Sequence, residues 1–67
     1  MMKTVREIAE QFGVSIPSVR YWLNRGLPYD TEKVIGVRER KIIDPEVAIT
    51  FLKLSEHEAE RIRKAGD

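Results

Sequence analysis

The stretch that decides the reading is Val14–Gly26, VSIPSVRYWLNRG. Ile16, Val19, Trp22 and Leu23 recur at helical spacing and define one stripe to be buried, which leaves Ser18, Arg20, Tyr21, Asn24 and Arg25 on the outer face. Those side chains suit a polyanion with readable edges. Arg offers a forked donor to phosphate or guanine, Asn pairs bidentately with adenine, and Ser and Tyr hydroxyls bind phosphate oxygens.

On the N-terminal side, Thr4 and Glu7 have capping-box spacing, so a helix starts after Thr4. Val5, Ile8, Ala9 and Phe12 give it an apolar stripe, and Gly13 stands where a left-handed residue would end it. Ser15 then serves as N-cap of a second helix, Pro17 is tolerated in its first turn, and the helix runs from Ile16 to about Arg25, with Gly26 as terminator. Two short helices about a tight turn at Gly13–Ser15 make a helix-turn-helix pattern, in which the second helix lies in a major groove. Lys3, Arg6 and Gln11 lie on the polar side of the first helix, within reach of a DNA backbone, although a solvated face accounts for each singly.

On the C-terminal side, Pro28 forbids continuation of the second helix. Lys33–Ile35 and Lys41–Ile43 are β-branched runs separated by GVRER, which predicts a β-hairpin with a basic tip. A hairpin placed after two such helices is a wing, and Arg38, Arg40 and Lys41 would meet the sugar-phosphate backbone or the minor groove. Asp44 and Pro45 restart a helix as N-cap and first residue, with Glu46 favourable at its positive end. Val47, Ala48, Phe51, Leu52 and Leu54 give that helix a broad apolar face to close a core with Phe12, Trp22 and Leu23. Ser55 and Glu58 repeat the capping-box spacing, so residues 55–67 form a helical extension that is either separate or continuous with the third helix. If continuous, Ala48, Leu52, Ser55, Ala59, Ile62 and Gly66 would form a weak seam for a second copy.

Length and charge bound these readings. Sixty-seven residues allow one thin core. The absence of cysteine excludes disulfides and Cys-based zinc sites, which fits a reducing compartment. No apolar run approaches the roughly 18 residues of a membrane span, and the N-terminus lacks the apolar core of a secretion signal, so the expectation is a cytoplasmic protein with no membrane partner. The net charge of +1 is unevenly spread: Met1–Ile43 holds eight basic and five acidic residues, Asp44–Asp67 four and six. That asymmetry allows one basic face.

The run Gly13–Leu27, GVSIPSVRYWLNRGL, resembles the opening of MerR-superfamily DNA-binding domains in its Gly-Val-Ser turn, its Arg-Tyr-aromatic trio and its closing Gly-Leu. Ile35–Leu52, IGVRERKIIDPEVAITFL, resembles the second half of excisionase-type winged domains. The tip departs from the family pattern in being slightly long and in carrying Glu39. Motif and resemblance together lead to a mostly α winged helix-turn-helix domain over residues 1–67, with three to four helices and a small β-hairpin wing. The resemblance implies sequence-specific binding of double-stranded DNA, cooperative on repeated sites. Its members serve a site-specific recombinase as directionality factors, or regulate transcription, and the expected partners are therefore DNA, further copies of the chain and a recombinase. SIPSVRYWLNRGLP with IIDPEVAITFL is also similar to the N-terminal domain of phage terminase small subunits, which recognise packaging sites. From another class, the near-zero net charge suits a protein-interaction module that has kept the fold without the DNA surface.

The candidate DNA contacts are Ser15, Ser18, Arg20, Tyr21, Asn24 and Arg25 with Arg38, Arg40 and Lys41. No enzyme, cofactor or metal is expected. One His and no Cys leave too few parts for a nucleophilic triad, there is no Gly-rich phosphate loop, and His57 among Glu56, Glu58 and Glu60 reads as a charged helix surface.

Overall fold

A computed structural model describes residues 1–33, 35–36 and 38–66. In chain order the elements are β1 (Lys3–Thr4), α1 (Val5–Phe12), α2 (Ile16–Asn24), β2 (Asp30–Glu32), β3 (Arg40–Ile43), α3 (Pro45–Leu52) and α4 (Glu56–Ala65). The molecule is mostly α, with one small antiparallel sheet in the order β1-β3-β2.

The helix boundaries follow their caps. Thr4 accepts a hydrogen bond from the Glu7 amide while the Glu7 carboxylate accepts from the Thr4 amide, which completes the box at the start of α1. Those bonds, with the Thr4 amide as the main cause, hold the Glu7 carboxyl below its ordinary range. Gly13, at φ +70°, then reverses the chain with the Val14 amide donating to the Ala9 carbonyl. Ser15 caps α2, and Gly26, at φ +113°, ends it: its amide donates to Leu23 and the Leu27 amide to Trp22. That pair of bonds is a Schellman motif, and it turns Leu27 inward.

The principal core consists of Ile8, Ala9, Val19, Leu27, Ile43 and Ala48, with Val5, Phe12, Trp22, Leu23 and Phe51 packed around it half-exposed. Trp22 thus stands at the rim, its ring tilted 59° against Phe12 at 5.8 Å, and Leu27 occupies the centre that the sequence pattern had reserved for Trp22. On α3 the inward residues are Ala48 and Ile49, whereas Val47 is 36% exposed. Ile49 joins Ala59 and Ile62 of α4 in a second cluster bordered by Phe12 and Leu54.

One expectation is corrected, one strand is new, and one open alternative is settled. The first hairpin strand is Asp30–Glu32, earlier than the expected Lys33–Ile35, because Asp30, Thr31 and Glu32 pair with Ile42, Lys41 and Arg40 while Ile35 sits in the turn. Val34 and Val37 of the expected hairpin lie outside the described residues. A third strand, β1, pairs Lys3 with Ile43 and Thr4 with Ile42 and was not foreseen. Finally, α3 and α4 are separate: Lys53, at φ +54°, donates its amide to Thr50 and ends α3, and Ser55 caps α4. A continuous seam for a second copy is therefore lost, and Ala59 and Ile62 are spent inside the chain's own core.

Helix α4 braces the N-terminal half. Gln11 donates to the Ile62 carbonyl at 3.0 Å, Lys3 to that of Gly66 at 3.4 Å, and Arg63 makes a two-bonded pair with Glu46 at 2.9 Å. Lys3 and Gln11 are thus occupied by α4, which removes them as backbone-contact candidates. The Arg63 hydrogen bonds hold the Glu46 carboxyl below its ordinary range. A depressed carboxyl pKa contributes stability above its unfolded value, and that contribution is lost as pH falls through the folded value.

Two stability changes follow. Leu27→Ala should cost about 2–5 kcal/mol, a large part of what so small a domain holds, and a urea titration should show it as a collapse of the midpoint. Lys53→Gly should stabilise the fold by about 0.5–1 kcal/mol and move the same midpoint upward, because glycine adopts the left-handed region without the penalty a side chain carries.

Candidate nucleic-acid interface

The candidate residues gather on α2 and the hairpin, with an open cleft of about 560 Å³ between them. Its lining is Arg20, Leu23 and Asn24 from α2, Val5 from α1, and Arg38, Glu39 and Lys41 from the hairpin. Arg20 and Asn24 reach it together because residues four apart share a helix face. Lys41 reaches it because side chains alternate along a strand: Ile43, two residues on, is fully buried, and Lys41 lies on the same side of the sheet. The cleft therefore has an apolar floor at Val5 and Leu23, three cations, one amide and one carboxylate.

A second helical ridge faces solvent beside it. Tyr21 is 59% exposed, and the Arg25 guanidinium sits 5.8 Å from its ring centroid, a cation–π pair one turn apart. The arrangement presents a planar cation at the exposed end of α2. At the other end, the Ser15 hydroxyl accepts from the Ser18 amide at 3.3 Å and lies 3.0 Å from the Ser18 hydroxyl. The Ser15 hydroxyl is committed to capping, and the half-buried Ser18 pairs its own hydroxyl with it.

The three hairpin cations differ in their surroundings. Lys41 rests over the Tyr29 ring at 5.2 Å, which fixes the direction of a long side chain. Arg38 lines the cleft from the loop. Arg40 lies directly opposite Glu32 and is bound to it at 2.6 and 2.7 Å, so its charge is largely compensated and it does not line the cleft. Glu39 forms no ion pair among the described residues and faces the cleft beside Arg38 and Lys41.

Sequence reasoning missed Tyr29 and Glu32. A signal for Glu32 existed: it and Arg40 each stand four residues from Gly36, the spacing of a hairpin centred there. Tyr29 has no such mark, since its stacking on Lys41 depends on the observed register. Elsewhere, His57 is exposed on α4, and among the described residues no three His, Cys, Asp or Glu side chains converge on a point. Among the described residues, no helix is long and apolar enough to cross a membrane.

Glu32→Gln should release Arg40 while changing stability by no more than about 1 kcal/mol, because the pair is about half exposed and screened by water. Thermal unfolding of the variant at low and raised salt checks this: the two curves should converge with wild type as salt rises.

No protein-family model, no curated protein and no solved structure matches this chain, so the functional reading rests on the cleft and the helix beside it.

Proposed function

We propose that the protein is a winged helix-turn-helix module that binds double-stranded DNA, with α2 in the major groove and the β2–β3 hairpin as the wing. The observation that carries this reading is the cleft: Arg20 and Asn24 from the helix and Arg38 and Lys41 from the hairpin converge on one groove although they lie far apart in sequence. A duplex has a sugar-phosphate ridge between a major groove and the adjacent minor groove. That ridge fits between a helix in the one and a hairpin on the other, and its phosphates meet the three cations. Asn24 and Arg25 at the helix end supply base contacts, and the exposed Tyr21 hydroxyl a phosphate contact. Ser15 acts by capping α2 through the Ser18 amide, and the Ser18 hydroxyl is held by that of Ser15.

In biological role the reading is an excisionase-like or regulatory DNA-binding protein of the MerR-superfamily type, acting in several copies on repeated sites. One module offers a limited interface, so useful affinity comes from adjacent sites. A site-specific recombinase is the partner that this role implies. The terminase-type packaging role uses the same DNA surface and differs in where on DNA the protein sits, which footprinting around its own gene decides. Binding alone is the proposed activity.

The test is a titration of duplex DNA across a range of salt. Neutralising Arg20, Arg38 and Lys41 together should flatten the log-log salt slope by about two to three units, roughly one per lost phosphate contact. Arg40→Ala should flatten it by clearly less than one such contact, because Glu32 already compensates that charge. Glu39→Gln should tighten the complex modestly at low salt by removing a carboxylate that faces the phosphates. A slope unchanged in the triple variant would contradict the docking pose, and no binding at low salt would leave a protein-interaction module.

A further inference from the structure

Ile35 is 100% exposed, a large apolar side chain in the turn of a hairpin, where polar residues and Gly ordinarily stand. Gly36 beside it holds φ +76° and has open space around its Cα, so the tip stands clear of the rest of the molecule. Ile35 thus supports no fold contact. The nearest described side chains along the chain are the exposed cations Lys33 and Arg38, so an apolar point is carried between two positive charges. An oily side chain flanked by cations suits a surface that is anionic outside and stacked and apolar within.

Resting on the DNA-binding reading, we infer that Ile35 is a wedge that enters the minor groove and partly unstacks one base step. Geometry supports the reach. Ile35 stands fully exposed in the hairpin turn, three residues before Arg38, which lines the cleft on the phosphate side. Width supports the consequence: paired strands lie about 4.8 Å apart before side chains are added, against a groove of about 6 Å, so the groove must open to admit the tip. Inserting an apolar side chain between base steps is a physical route to that opening, with the unstacking cost offset by burial of the isoleucine.

The test uses a short duplex that the protein itself enriches from a random pool, with 2-aminopurine placed at successive steps on the hairpin side. Wild type and Ile35→Leu should brighten one step. Ile35→Ser should leave that step dark and bind about tenfold more weakly, with its salt slope unchanged because no charge is lost. Ile35→Ser folds as wild type does, since the side chain touches nothing, and circular dichroism verifies it. Equal affinity and equal brightening in Ile35→Ser would overturn the wedge, as would weakened binding with no brightened step in the wild type. Affinity lost only on duplexes with two sites would overturn it too and assign the tip to a second copy. If no duplex is enriched and the wild type shows no salt-dependent binding, the DNA reading itself has failed.

Discussion

The register of β3 is the constraint on which the rest depends. This central strand, Arg40–Ile43, pairs through Ile43 and Ile42 with Lys3 and Thr4 of β1, and through Ile42, Lys41 and Arg40 with Asp30, Thr31 and Glu32 of β2. Ile43 has no exposed surface, and its burial fixes which side of the sheet each neighbour takes. A slip of one residue would bring Ile43 out, turn Lys41 away from α2 and put the Glu32-bound Arg40 in its place. The position of the hairpin cations is therefore tied to a core isoleucine, and the Glu32–Arg40 bridge and the Lys41–Tyr29 stack reinforce the same register from the surface.

The helices are held to that sheet by turns more than by length. Each helix has eight to ten residues, too short to persist alone, so the caps and the contacts at both ends decide whether they form. Gly13 reverses α1 into α2, and the Gly26 turn delivers Leu27 into the core beneath α2. Helix α4 closes the other side through Ala59 and Ile62, and its links to Gln11, Lys3 and Glu46 keep its exposed acids Glu56, Glu58 and Glu60 on an element that contributes nothing to the cleft. The cleft itself holds three cations against the one carboxylate of Glu39, which is how a chain of net charge +1 keeps a local cationic groove.

Much of this was legible in the chain. Local signals with a hydrogen-bonding mechanism were read correctly: Thr4 with Glu7, Gly13, Ser15, Gly26, Asp44 with Pro45, and Ser55 each mark a helix end within a residue of where it falls. What depends on pairing across the chain was not. Val34 and Ile35 look like strand residues by propensity, yet Ile35 is in the turn, and the true strand Asp30–Glu32 is polar because its partner supplies the apolar residues. Strand β1 has two residues and no pattern to detect. Trp22 drew the core assignment by its helical spacing, whereas Leu27, outside any helical period, took the centre through the Gly26 turn. For the candidate site, Arg20, Asn24, Arg38 and Lys41 were all named from the sequence, but that Arg40 is compensated and Glu39 faces the cleft required the register.

The central claim is that one face, made by α2 and the hairpin, meets DNA. The most direct measurement is a map of backbone amide shifts in isotope-labelled protein as duplex DNA is added at low salt. The account predicts that perturbations concentrate in Ser15–Arg25 and Arg38–Lys41, with the amides of Glu56–Ala65 unmoved. Shifts centred on α4, or on the groove formed by Pro28, Val47 and Phe51, would contradict it.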